Sequence, residues 1–252
     1  MHLAEALDLR RGDMAALIGA GGKTTTMFRL AKELRDEGRK VLATTTTKIF
    51  KPSKPHVDRL FLVEDIEALA EACAAVAPPV IIGAGAGVNQ EGKLLGLPAR
   101  WLDRLNEAKI FDAILVEADG AASRLFKVPS ESEPVIPTSC QLTIWLMAIT
   151  VFDKPLAAAW IHRSELAAAL LDVDEKELMT QELIVRLVKH PAGCWKGIPA
   201  ASRKAAVINQ ADSPEAVAEA KSLAQKLLQY GADRVVITSY ASDEPVKEVL
   251  LQ

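Results

Sequence analysis

The chain has 252 residues, half of them hydrophobic and a quarter charged, which fits one large α/β domain and excludes a disordered or fibrous protein. The formal net charge is −3 with no block of Lys or Arg, so no nucleic-acid partner is expected. The longest apolar runs, such as Leu142 to Phe152, fall well short of the roughly 20 residues that span a bilayer, and Met1 to Arg11 is too charged for a signal segment. The expectation is a soluble cytoplasmic protein with no membrane partner. Cys73, Cys140 and Cys194 are odd in number and widely spaced, and His2, His56, His162 and His190 form no paired-ligand spacing, so neither disulfides nor structural zinc is expected.

Met14 to Gly19 is a short apolar run that ends in a glycine cluster. From Thr24 onward, Met27, Leu30, Ala31 and Leu34 recur at helical spacing until Gly38. This pattern predicts strand, glycine loop and helix. Val41 to Thr46, rich in β-branched threonine, reads as a second strand, and strand–helix–strand in so short a stretch implies a parallel crossover. The alternation continues with a strand at Leu60 to Val63, a helix from its N-cap Asp65 to about Ala77, and a strand at Val80 to Ala84. A glycine-rich turn from Gly83 to Gly96 and a helix at Ala99 to Ala108 follow. Asp112 to Val116 is a buried strand that delivers Glu117, Ala118, Asp119 and Gly120 at its end.

Pro129 to Pro137 is a stiff surface loop, and Leu142 to Ile149 is again a strand. Between Phe152 and Ser202 the alternation stops. Asp174 to His190 reads as helical, with Asp174 and Glu177 spaced as a capping box, so residues 152–202 form a helical insertion in a single domain covering 1–252. Strands at Ala205 to Ile208 and Arg234 to Thr238 are joined by a helix capped by Ser213, with Pro214 at its first position and Gly231 beyond its end. The expected fold is a three-layer α/β sandwich of the P-loop NTPase type, a mostly parallel sheet flanked by helices.

Gly19, Ala20, Gly21, Gly22, Lys23, Thr24 and Thr25 lie between strand and helix, where a glycine loop acquires the meaning of a phosphate cradle. Glycines let backbone N–H groups converge on an anion, and the helix N-terminus favours negative charge. Lys23 suits β/γ-phosphate oxygens, and the Thr24 hydroxyl suits Mg²⁺. The usual template places its first glycine at position 17, where this chain has Leu17, so the loop is a shortened Gly-x-x-Gly-Lys-Thr form. Glu117 and Asp119 are the acidic partners: two residues apart on a persisting strand, both would face the metal. A purely local reading of each of these segments, as a glycine turn and an acidic strand end, remains open.

Thr44, Thr45, Thr46, Thr47 and Lys48 close the second strand at the carboxyl edge, where a parallel sheet meets its ligand, although threonine is also a good strand residue. Asn209 and Asp212 resemble the Asn-Lys-x-Asp motif that reads guanine, with Gln210 in place of the lysine. Asp212 or Ser213 as a helix cap is the alternative. Glu131 and Glu133 are candidates for a substrate-facing edge, and His162 and Arg163 for contact with an anionic substrate. Cys194, between glycines and beside Lys196, is either a thiolate or a packed structural cysteine.

Taken together, Ile18 through Thr25, Ala43 through Lys48, Val116 through Ala121, Glu133 through Pro137 and Val207 through Asp212 resemble the YqeC family, described as accessory proteins for selenium-dependent molybdenum hydroxylases. The resemblance covers most of the chain. It implies a P-loop nucleotide-binding protein acting in maturation of such a hydroxylase or its cofactor. Gly19, Gly22, Lys23 and Thr24 match the family's nucleotide loop, and Glu117 and Asp119 match its acidic motif. The loop alone also suits Mur-type ligases and GTP-dependent metallochaperones.

The expectation is therefore a Mg²⁺-dependent NTPase that uses ATP or GTP. In that role Lys23, Glu117 and Asp119 would be catalytic, and Thr24, Glu117 and Asp119 would hold the metal. An ATP-dependent ligase or kinase acting on a small acid, and a nucleotide-sensing module without turnover, are the alternatives.

Overall fold

The computed structural model describes residues 1–252. In chain order its elements begin with α1 (Leu3–Ala6), β1 (Asp13–Gly19), α2 (Lys23–Asp36), β2 (Lys40–Thr45), β3 (Lys48–Phe50), β4 (Arg59–Leu62), α3 (Ile66–Ala74) and β5 (Val80–Gly85). There follow β6 (Gly87–Val88), β7 (Lys93–Leu95), α4 (Ala99–Glu107), β8 (Ala113–Glu117), β9 (Phe126–Lys127), β10 (Leu142–Ala148), β11 (Ile161–His162), α5 (Ser164–Leu171) and α6 (Gln181–Lys189). The chain closes with β12 (Arg203–Asn209), α7 (Pro214–Gln229), β13 (Arg234–Thr238) and β14 (Val246–Leu251).

Nine strands form one sheet in the order β14-β13-β12-β10-β1-β8-β2-β5-β4, parallel throughout except for the β13–β14 pair. Every residue of β1, β8 and β10 is buried, as near-continuous apolar runs require when helices cover both faces. The period of two divides them: Ala15 and Leu17 pack with α1 and α2 on one face. On the other face Met14 packs with α3 and α4, while Ala16 and Ile18 pack with α5, α6 and α7. The result is the three-layer α/β arrangement expected from the alternation. No helix is long and apolar enough to cross a membrane.

Several elements differ from expectation for identifiable reasons. The helix expected from Asp174 starts only at Gln181, capped by Thr180, whose hydroxyl accepts from the Leu183 amide at 3.3 Å. The Asp174 carboxylate instead accepts from the Lys176 amide at 2.8 Å, closing a turn, and the chain then runs extended against Lys154. Within residues 152–202, Leu156, Ile161, Leu171, Ile184 and Leu187 join the same core as β10, β12 and α7. The glycine-rich stretch from Gly83 to Gly96 is no simple turn. Its β6 and β7 form a hairpin, and β3 adds to β7 to make a separate three-stranded ribbon. Asn89 accepts from the amides of Glu91 and Lys93 at the hairpin tip, where Gly92 has a φ of +73°.

The turn that enters β10 is held by Asp103 of α4. Its carboxylate accepts from the amide and hydroxyl of Ser139, both at 2.7 Å, and from those of Thr138 at 3.3 and 3.0 Å. Burial alone would raise its pKa, but these donors outweigh it and hold the carboxyl below the usual aspartate range. A group whose folded pKa is depressed stabilises above its unfolded value and loses that contribution as pH falls through the folded one. Asp103→Ala therefore lowers stability by about 1–2 kcal/mol at neutral pH, and the difference from wild type shrinks on acidification, as urea melts at several pH values would record.

Candidate functional site

β1 ends at Gly19 in the middle of the sheet, and α2 starts four residues later at Lys23. Between them Gly19, Gly21 and Gly22 have φ of +91°, +74° and +133°, which side chains beyond Cα resist. A Cβ on Gly21 would lie 2.3 Å from the Ala148 amide nitrogen, so the loop is pressed against the end of β10. It is also tethered. The Ala20 amide donates to Leu146 O at 2.9 Å, and the Gly21 amide to Arg124 O at 3.0 Å. Asn209 Nδ2 donates to Gly21 O at 2.8 Å, while Asn209 Oδ1 accepts from Thr238 at 3.0 Å. By contrast, the amides of Gly22, Lys23, Thr24 and Thr25 meet no protein acceptor, and Gly22 caps α2 without a side chain. Four free donors at the positive end of a fourteen-residue helix thus belong to residues that line one cleft.

Behind this loop lies a chain of buried charges. Lys23 Nζ donates to Gly19 O at 2.6 Å, pairs with Asp119 Oδ1 at 2.7 Å and lies 3.8 Å from Glu117 Oε1. The other Asp119 oxygen accepts from the Gly19 amide at 3.0 Å and pairs with Lys127 at 3.1 Å. Lys127 also donates to Gly120 O and pairs with Glu133 at 2.6 Å, and Glu133 in turn pairs with Arg163 at 2.8 Å. The Thr24 hydroxyl donates to Glu117 Oε2 at 2.8 Å. Lys23 is only 4% exposed and Lys127 2%. Burial pushes the Glu117 carboxyl up, against the pull of Lys23 and Thr24, and pushes the Lys127 ammonium down, against Asp119 and Glu133. Burial would raise Glu133 as well, but its hydrogen bonds from Lys127 and Arg163 win and lower it.

The two acidic residues separate in position. β8 stops at Glu117, so the alternation that would aim Asp119 the same way ends before it reaches that residue. Glu117 lines a cleft of about 1090 Å³ beside Thr24, whereas Asp119 sits behind the loop among Gly19, Lys23 and Lys127. Lys127 was not singled out from the sequence. The signal was present: one lysine inside the apolar run Leu125-Phe126-Lys127-Val128 is a buried cation in want of a carboxylate.

Residues Ala20 through Thr25 line the cleft, as do Thr46, Thr47, Lys48, Glu133 and His162. The Thr46 hydroxyl donates to Val135 O at 2.7 Å. His162 has its pKa lowered by burial and by the nearby Arg163 and Lys127. Arg163 is outside the cleft wall, turned to Glu133, and the exposed Glu131 is also outside, its backbone carbonyl accepting from Lys196 at 2.8 Å. Asn209 is spent as a strut of the glycine loop. Asp212 is exposed, accepts from Ser239 Oγ at 2.5 Å and is not in the cleft wall, where Gln210 stands instead at a φ of +64°. Ser213 caps α7 by accepting from the Ala216 amide. Cys194 is buried in the core beside Trp145 and Trp195, and burial pushes its thiol up; Cys73 is pushed up to about 11 for the same reason.

No group of three His, Cys, Asp or Glu side chains is placed to hold a metal by itself. Thr24 and Glu117 offer two hard oxygen donors next to the open amides. That set suits an ion that takes its remaining ligands from water and phosphate.

Comparison with known proteins places these features in one family. A family model described as YqeC protein matches residues 15–165, which include the glycine loop, Glu117, Asp119, Lys127 and Glu133. The uncharacterized protein YqeC of Escherichia coli (strain K12) is 30% identical over 226 residues, covering 90% of this chain and 87% of that one.

Proposed function

The chain belongs to the YqeC family, and on that premise we propose that it binds a nucleoside triphosphate, ATP or GTP, with Mg²⁺ and hydrolyses it. The setting we propose is the maturation of a selenium-dependent molybdenum hydroxylase or its cofactor. One observation carries the nucleotide reading: four unpartnered amides at Gly22–Thr25, flanked by Lys23, Thr24 and Glu117, on the wall of a large cleft. These amides donate to no protein acceptor, so they are free to donate to phosphate oxygens. Lys23 leaves Gly19 O for the β/γ-phosphates and opposes the charge that develops on the transferred group. Thr24 and Glu117 would hold Mg²⁺, which would supply positive charge to the phosphates. Asp119 is a positioning residue: by accepting from the Gly19 amide and pairing with Lys23, it sets both the loop and the lysine.

The hydroxylase role rests on the family resemblance, and a single assay addresses both steps. ATP and GTP are titrated with Mg²⁺, and phosphate release is then measured with and without a selenium-dependent molybdenum hydroxylase. Saturable binding of one triphosphate, and release that rises when the hydroxylase is added, are the expected results. Tight binding with no release under either condition supports a sensing module instead, and absence of binding refutes the nucleotide reading.

A further inference from the structure

We infer that the ribbon of β3, β6 and β7 is the binding platform for a second substrate, an anionic molecule carrying a flat ring, held next to the terminal phosphate. The inference rests on the nucleotide reading of the same cleft. The ribbon follows directly from the carboxyl end of β2 through Thr46 and Thr47, and Gly96 behind β7 packs against the Thr46–Thr47 backbone. Its pleat divides it. Ile49 and Leu94, paired across β3 and β7, are buried in the core. Lys48 and Phe50 alternate with Ile49 and so share the opposite face, with Lys93 directly across from Phe50. All three line the cleft.

Phe50 is 71% exposed, an unusual place for a large apolar ring, and the Lys93 ammonium lies 5.9 Å from its centroid. Lys93 shares its charge with the exposed Glu91 at 2.9 Å, a contact that contributes little in water. Lys48 and Arg124, both on the cleft wall, have no carboxylate within ion-pair distance, although Lys48 helps to lower the Glu91 carboxyl from further away. Lys48 and Lys93 therefore flank an open aromatic ring in a chain of net charge −3.

The order of strands says which ligand this face meets. Lys23, Thr24 and Glu117 gather at the end of β8, whose neighbour β2 leads into the ribbon. The terminal phosphate is on that side. The nucleoside is then directed away, toward Gln210 at the end of β12, two strands beyond β1 on the opposite side. The ring of Phe50 is left for another molecule, whose carboxylate or phosphate meets Lys48 and Arg124 and whose flat part stacks on Phe50.

Phenyl phosphate serves as the probe, titrated by calorimetry into the full chain already saturated with Mg²⁺ and a non-hydrolysable triphosphate. It should bind at least tenfold more tightly than inorganic phosphate. Phe50→Ala and Lys48→Ala should each weaken it about tenfold while changing nucleotide affinity by less than twofold. Phenyl phosphate binding no better than inorganic phosphate overturns the inference. So does a Phe50→Ala variant that loses nucleotide to the same degree, because the ring then carries the nucleobase. If the wild type takes up no nucleotide, the nucleotide reading fails by itself, and titration of the free chain still decides the ribbon. Loss of the probe in Phe50→Ala and Lys48→Ala but not in Lys23→Ala supports it, and equal loss in all three refutes it.

Discussion

Lys127→Met lowers the stability of the folded chain by about 3–5 kcal/mol in urea denaturation, the largest single-residue effect expected outside the apolar core. The substitution conserves length and apolar bulk, so the loss isolates the charge. Without the ammonium, Asp119 keeps the Gly19 amide and Lys23, but Glu133 keeps only Arg163, and Gly120 O loses its donor. Two carboxylates are left short of compensation, Asp119 fully buried and Glu133 partly so. Adding Glu133→Gln recovers part of the loss by removing one of the stranded charges. A Lys127→Met protein as stable as wild type would show that the buried chain from Lys23 to Arg163 does not hold the loop.

Lys23→Ala weakens triphosphate binding by about 10- to 100-fold, the value of one or two hydrogen bonds between charged groups, while affinity for the nucleoside alone changes by less than twofold. Calorimetric titration of both ligands separates a phosphate contact from a general collapse of the cleft. Equal losses would mean that Lys23 acts only through the fold. Glu117→Gln makes the complementary point. Burial already opposes its charge, so the amide is tolerated by the fold, yet the advantage that Mg²⁺ gives to triphosphate binding falls away.

What the sequence made legible, and what it did not, follows the range of each interaction. β1, the glycine loop and α2 are written in local terms: an apolar run, residues suited to positive φ, and a stripe at helical spacing. Glu117 at the end of a buried strand was legible for the same reason. Asp119 was legible as an acidic residue beside the glycine loop but not in its orientation, because only the end of β8 reveals that the alternation has stopped. The partners of Lys127 come from three separate places, Asp119, Gly120 and Glu133, and no periodicity announces such a meeting. Asp212 meets Ser239 from the end of β13, and Asn209 meets both the glycine loop and Thr238, contacts that only the closed sheet creates. At Asp174 the capping spacing was present, but the carboxylate closed a turn on Lys176 and left the cap to Thr180. The ribbon escaped notice because each of its strands has only two or three residues.

The central claim is that the amides of Gly22, Lys23, Thr24 and Thr25 form an anion cradle, and amide chemical shifts followed during titration with Mg²⁺ and ATP or GTP test it at those four atoms. The account predicts large, saturating shifts at all four, absent when the nucleoside alone is added. Binding that leaves those four resonances in place while moving others would contradict it.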